Sequence, residues 1–332
     1  MPESETQAAT CDTERDVSLS KSLQGNVVFV LLSSSMIRQP FALATPLHLL
    51  DFEIASKTTL FQHWASIIPD SYNTCPTEIR VMLAPEAPAP TSVQETNRIR
   101  ILRDRDGYRG PAGALIDACE DLPENTLIVV LESTRVLFAN LMPMIASHID
   151  RAHDVTVVTS ATDQPVGVTI THRAMLDSIP RRGYIDLKEQ WLAQHIKKNA
   201  RVFAHRVPLG SSLQIRNRAS LLAAMAQLSR MQHNTRSIPS VKISSSRFVM
   251  RALDGHGVMH SDGTAISNHA SAPGSYIMAG ANVPSSAVLA RCIVFPGARV
   301  HEEEMLQDLL IGPNGRVTDD QFLLARRRGG RA

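Results

Sequence analysis

Cysteines are few in this chain, and long apolar runs are missing. Its four cysteines, Cys11, Cys75, Cys119 and Cys292, show no C-x-x-C spacing. That excludes a small disulfide scaffold and a cysteine zinc site, and suits free thiols in a reducing compartment. No stretch approaches the ~18–20 apolar residues of a membrane span. The polar first 25 residues hold no basic start followed by an apolar core, so no signal peptide is expected. Neither sign of charge is in excess: 34 Lys and Arg against 32 Asp and Glu leave +2, too little for a dedicated nucleic-acid or membrane-surface protein. The expectation is a cytoplasmic protein with neither nucleic acid nor membrane as partner. The 12 histidines are scattered without ligand spacing, and His63 and His205 read as surface or satisfied core residues. No Gly-x-Ser-x-Gly elbow and no Cys/His pair occurs. No metal site and no cofactor are expected.

What is present is a chain of 332 residues with 43% hydrophobic and 20% charged residues, long enough for two domains and apolar enough for a sizeable core. Residues 1–25, rich in Ser, Thr, Glu and Gln, read as a disordered leader. Val27 to Leu32 is a continuous apolar run, as in a strand buried on both faces. Glu78 to Leu83, Leu127 to Leu131 and Val155 to Thr159 read as further strands. Leu60 to Ile68, Ala112 to Cys119 and Leu141 to Ile149 have helical spacing, and Pro85 to Pro90 reads as a loop. Alternation of buried strands with helices implies an α/β domain over 26–235 with a mostly parallel, Rossmann-like sheet. Ligands in such sheets bind at the carboxyl ends of the strands, which points to the loops after Leu32, Leu131 and Val158.

Beyond about residue 240, small residues, Gly, Pro and Ser take over, and a six-residue period replaces helical spacing. Val288, Val294, Val300 and Leu306 step by six, as do Val283, Leu289 and Phe295. A third register holds Ala287, Ile293, Met305, Ile311 and Val317, interrupted by Arg299. This predicts a short left-handed parallel β-helix of hexapeptide repeats over 240–320, with the apolar positions stacked inward. Glu302, Glu303 and Glu304 are expected to face water at a corner. The basic ending, 321–332, reads as a solvated tail.

A parallel α/β domain followed by hexapeptide repeats resembles the sugar-1-phosphate nucleotidyltransferases (NDP-sugar pyrophosphorylases), the mannose-1-phosphate guanylyltransferase type especially. The resemblance spans most of residues 26–320 and implies joining of a nucleoside triphosphate to a sugar-1-phosphate with release of pyrophosphate. The family's phosphate loop, L-A-G-G-x-G-T-R-L, is matched by Leu31-Leu32-Ser33-Ser34-Ser35-Met36-Ile37-Arg38. Arg38 survives, every glycine is gone, and Leu47 stands at the lysine position. The base-recognition turn, L-G-T-A-G-A-L, is matched by Arg109-Gly110-Pro111-Ala112-Gly113-Ala114-Leu115. By resemblance, nucleotide-binding candidates are therefore Ser33, Ser34, Ser35, Gly110, Pro111, Ala112 and Gly113. A loop-to-helix turn would favour the same glycines and proline.

The family holds magnesium with two aspartates, because a hard cation needs carboxylate oxygens while charge builds on the leaving pyrophosphate. Ser133 and Gln214 stand at those places, with Glu132 and Arg216 as neighbours. Set beside the family, Val155 to Ser160 runs almost directly into Pro165, so the segment that grips the sugar phosphate reads as deleted. Asp186 reads as a helix N-cap with Glu189 at the third helical position.

The resemblance thus implies a degenerate member, a pseudoenzyme acting as a regulatory or scaffolding homologue in nucleotide-sugar or polysaccharide biosynthesis. A nucleotide or nucleotide sugar is the expected ligand, and a homo-oligomer or a complex with an active relative the expected assembly. One alternative is an active transferase with a rearranged site, using Arg38 and Glu132 with Asp51 or Asp186, which would require Mg²⁺. Another is a structural oligomerisation module.

Overall fold

The apolar run Val27–Leu31 is wholly buried and forms most of the central strand β1 (Val27–Ser33). The structure, a computed structural model, describes residues 26–33, 41–55, 57–105, 109–235, 259–260, 265–266 and 274–319. The leader, Ser34, Ser35, Arg38 and the basic tail lie outside the described residues. β1 runs parallel to β2 (Glu78–Leu83) on one side, and β2 runs parallel to β3 (Ile99–Arg103). On the other side β1 runs parallel to β4 (Leu127–Glu132). A small outlying strand, β5 (Arg135–Leu137), follows directly. β6 (Val155–Ser160) and β7 (Pro165–His172) form an antiparallel pair, β7 also lying antiparallel against β4, and β8 (Val202–Val207) runs parallel to β6. The seven-stranded order is β8-β6-β7-β4-β1-β2-β3, and β9 (Ser212–Gln214) pairs separately with β5.

Side chains of β1 alternate between two cores, as strand geometry requires. Val27, Phe29 and Leu31 join one with Trp64 of α1 (Leu60–Ile67), Ile145 of α3 (Met142–Asp150) and Leu221 of α4 (Arg218–Thr235). Val28 and Val30 join the other with Leu115 and Ala118 of α2 (Gly110–Ala118) and with Trp191. Both faces are covered, which explains why the run is apolar without alternation. The order β3-β2-β1-β4 builds outward from β1 in one direction, then reverses. The carboxyl ends of β1 and β4 therefore flank the switch point where open α/β sheets take ligands.

The C-terminal part is a parallel β-helix whose coil corrects the expected six-residue step. Tyr276 pairs with Ile293 and Ile293 with Leu310, while Val288 pairs with Met305, all in parallel, a repeat of 17 residues. The inward stack is Ile277, Val283, Leu289, Val294, Val300 and Ile311, with Leu306 partly buried beside it. One side of each coil is thus a residue short of a hexad. The strict registers drift accordingly: Met305, expected inside, is 80% exposed, and Phe295 and Ile293 turn outward into the core of the α/β domain. Glu302 and Glu303 are exposed as expected, whereas Glu304 is paired with Arg316.

The contact between the two parts is well built. Phe295 packs in a three-ring cluster, tilted against Phe52 (5.0 Å between centroids) and edge-on to Phe41 (6.5 Å). Arg218 at the start of α4 is buried, donates to the Arg291 carbonyl (2.6 Å), and pairs with Asp308 (2.9 Å) and Asp319 (3.2 Å). Gly312 touches the helical turn Phe41–Ala44 so closely that any Cβ would overlap the Ala44 carbonyl, which also accepts from Asn314 N. No helix of the described residues is long and apolar enough to cross a membrane.

Candidate functional site

At the switch point, Ser33 ends β1 and Glu132 ends β4, with Leu32 and Glu132 side by side in register. Ser33 Oγ lies 3.4 Å from His48 Nε2, and His48 Nδ1 accepts from Leu50 N (3.2 Å). The accepting Nδ1 leaves the ring proton on Nε2, which points at the serine. His48 therefore cannot act as a base toward Ser33, and no activated nucleophile is formed. Burial holds the His48 pKa below its ordinary value against the pull of Asp51. Leu47 packs against the core where a phosphate-binding lysine would have to reach outward. Asp51 is committed elsewhere, accepting from Thr91 N (2.9 Å) and Ser92 N (2.7 Å).

The turn at Gly110 has a clear structural reason for its glycine. Gly110 has φ +77°, and a Cβ there would lie 2.7 Å from the Ile185 carbonyl oxygen and 2.8 Å from Tyr184 Cε2. Ile185 N donates to the Arg109 carbonyl (3.0 Å), and Ala112 N donates to the Ile185 carbonyl (3.3 Å). The chain's own segment 184–185 thus lies against the expected base-recognition turn, and Arg109 folds back onto Asp117.

The positions matching the family's metal aspartates are brought to one place. Gln214 sits directly opposite Arg135 in the β5–β9 ladder, Ile215 N donates to the Thr134 carbonyl (2.7 Å), and Ser133 precedes the same ladder. Ser133 is buried; Gln214 accepts from Arg216 Nε (2.7 Å). Glu132 accepts from Lys188 Nζ at 2.6 Å and from Arg135 Nε at 3.0 Å. Burial pushes the Glu132 carboxyl upward, but Lys188 and Arg135 outweigh it and hold the pKa below the ordinary glutamate value. The group is an ionised carboxylate between two cations.

The sequence points to Glu132, Gln214 and Arg216 by position, and to Lys188 by no signal of its own. Arg135 was missed, although Gly167 carries a signal for it: glycine inside a strand often marks close approach of another group. Gly167 has φ +85°, and a Cβ there would overlap Arg135 Cδ and come within 3.1 Å of Glu132 Cβ. Asp186 is the expected N-cap, accepting from Lys188 N (2.7 Å) and Glu189 N (2.9 Å). The reciprocal bond comes from Gln190, whose Oε1 accepts from Asp186 N (2.6 Å), and not from Glu189. This cap opens the helical turn Leu187–Leu192 and so positions Lys188 over Glu132. Among the described residues, no group of three or more His, Cys, Asp or Glu is arranged to hold a metal ion.

No family model matches the chain, and no curated protein matches it in sequence. Solved structures similar to it include HddC from Yersinia pseudotuberculosis, at 10% identity and a TM-score of 0.46, covering 61% of this chain and 99% of that one. Another is a protein from Bacillus anthracis assigned as a glucose-1-phosphate thymidylyltransferase and solved with sucrose, at 12% identity and a TM-score of 0.49, covering 65% and 97%. At these values the likeness assigns no residue and no activity to this chain.

Proposed function

We propose that this chain is a nucleotidyltransferase-like protein with degraded catalytic motifs. In this reading it is a regulatory or scaffolding homologue in nucleotide-sugar or polysaccharide biosynthesis, and it senses a nucleotide or nucleotide sugar without transferring it. One observation carries the reading. At the switch point of the sheet, Ser133 and Gln214 stand where the resemblance calls for two carboxylates, Arg135 and Lys188 pair with the neighbouring Glu132, and Arg216 donates to Gln214. A divalent cation requires anionic oxygen ligands. Among the described residues, the carboxylate at this point, Glu132, is already neutralised by Arg135 and Lys188, and Arg216 adds a third positive charge. His48, with its proton on Nε2, supplies no alternative base beside Ser33. Among the described residues, no carboxylate set is arranged to hold the metal of a metal-assisted displacement.

Thermal-shift measurement against nucleotides and nucleotide sugars, each with Mg²⁺ and with EDTA, tests the reading. A specific ligand raises the melting temperature through mass action. The expected result is stabilisation by one nucleotide class that persists in EDTA. Stabilisation by none of them removes the sensing role, and stabilisation that vanishes in EDTA contradicts the loss of metal dependence.

A further inference from the structure

We infer that Arg135, Lys188 and Arg216 form an anion site that takes the phosphate oxygens of a diphosphate-bearing ligand directly, with no divalent cation between. The inference rests on the reading above for its place in the molecule and goes beyond it in naming what fills that place. Three observations support it, each independent of the resemblance.

The first is the donors left over. Among the described residues, Arg135 uses only Nε toward Glu132, and Arg216 uses only Nε toward the neutral amide oxygen of Gln214. The terminal nitrogens of both guanidinium groups remain for a ligand, and their fork geometry matches phosphate oxygens. Lys188 gives one short bond to Glu132 and keeps further protons. Arg135 and Gln214 face each other across the ladder, and Arg216 Nε donates to the Gln214 amide, which sets Arg216 beside the residue opposite Arg135.

The second is the way the cluster is held. Arg135 is only 14% exposed and lies across Gly167, the one residue type that leaves room for it there. A glycine inside a strand weakens the sheet, so a strand that accepts one to seat a cation is specialised at that point. Lys188 is set by the Asp186 cap, whose Oδ1 accepts the Lys188 and Glu189 N–H groups, while the Lys188 ammonium itself reaches Glu132.

The third is charge. Within the cluster, Glu132 is one carboxylate against three cations, which leaves a net positive patch beside the carboxyl end of β4. An incoming diphosphate would share Arg135 and Lys188 with Glu132, and the glutamate would oppose it. Glu132 therefore acts as the counter-ion of Arg135 and Lys188, and the sign of its effect on binding is fixed: removing its charge strengthens anion binding.

Isothermal titration of the full chain with inorganic pyrophosphate, and separately with a nucleoside diphosphate, each in EDTA and in Mg²⁺, tests this. The expected result is binding in EDTA that Mg²⁺ does not strengthen and that weakens with added salt. Arg135→Gln and Arg216→Gln should each weaken it roughly tenfold, the loss expected for one charge-assisted contact. Glu132→Gln should tighten it. Arg216 is exposed, so its substitution leaves folding intact and stands alone if Arg135→Gln does not fold. Tighter binding of the nucleoside diphosphate than of pyrophosphate would assign the ester as ligand, and equal affinities the inorganic anion; both support the site. Absence of binding in EDTA, a requirement for Mg²⁺, indifference to Arg216→Gln, or weakening by Glu132→Gln would each overturn it. Pyrophosphate release from a triphosphate would instead strike at the non-catalytic reading, so the two failures are distinguishable.

Discussion

Gly167 lies directly beneath Arg135: its φ of +85° and its missing Cβ open the space through which the arginine side chain crosses β7 to reach Glu132. The pairing ties a backbone conformation to an electrostatic arrangement. Substitution at one position must therefore be felt at the other.

Gly167→Ala places a Cβ into Arg135 and imposes a left-handed backbone on an L-residue. It should destabilise the protein by about 2–3 kcal/mol and dislodge Arg135 from Glu132. Urea denaturation reads the stability, and the anion titration reads the displaced arginine. Unchanged values of both would refute the close approach.

Arg218→Met removes the clasp between α4 and the β-helix while keeping the length of the side chain. The Arg291 carbonyl and Asp319 lose their partner, and Asp308 keeps Arg291. A loss of about 2–4 kcal/mol is expected for breaking a buried ion pair. Calorimetry should then resolve the β-helix melting ahead of the α/β domain, whereas a single unshifted transition would mean the clasp contributes nothing.

Acid sensitivity should arise at the opposite end of the sheet from the site. His148 is fully buried and bonds Thr156 through Nδ1 (2.8 Å), with the His172 ring 5.5 Å and the His153 ring 6.4 Å away. Burial first, then the charges of His172 and His153, push its pKa down from 6.5 to about 4, opposed by Asp154. A depressed folded-state pKa means that the unfolded chain takes up the proton first. Stability is thus full above pH 6.5 and declines as pH falls toward 4. The loss should reach roughly 3 kcal/mol, and His148→Asn should flatten the slope. A pH-independent melting temperature from 7 to 4.5 in the parent protein would contradict this assignment.

The central strands were legible because burial on both faces leaves an unbroken apolar signature, as in Val27–Leu31 and Leu127–Leu131. β3 was not, since an edge strand reading Ile99-Arg100-Ile101-Leu102-Arg103 is half wet and looks like a loop. The β-helix announced itself by period, yet its true coil of 17 residues was hidden. Val294 and Phe295 are adjacent apolar residues, one facing the coil and the other the neighbouring domain, and composition does not distinguish two interiors. At the site, Glu132 and Gln214 were visible by position. Arg135 and Lys188 were not, because their meeting depends on the β5–β9 ladder and on a helix start distant in sequence. The glycine in β7 was the one local clue.

Under the proposed function, cations stand where a metal would be held, and the protein performs no transfer. Pyrophosphate release, measured on the full chain with Mg²⁺ and a panel of nucleoside triphosphates and sugar-1-phosphates, tests it most directly. The expected result is no release above the uncatalysed background for any pair. Steady release that requires both Mg²⁺ and a sugar-1-phosphate, and that disappears in Glu132→Gln, would contradict it.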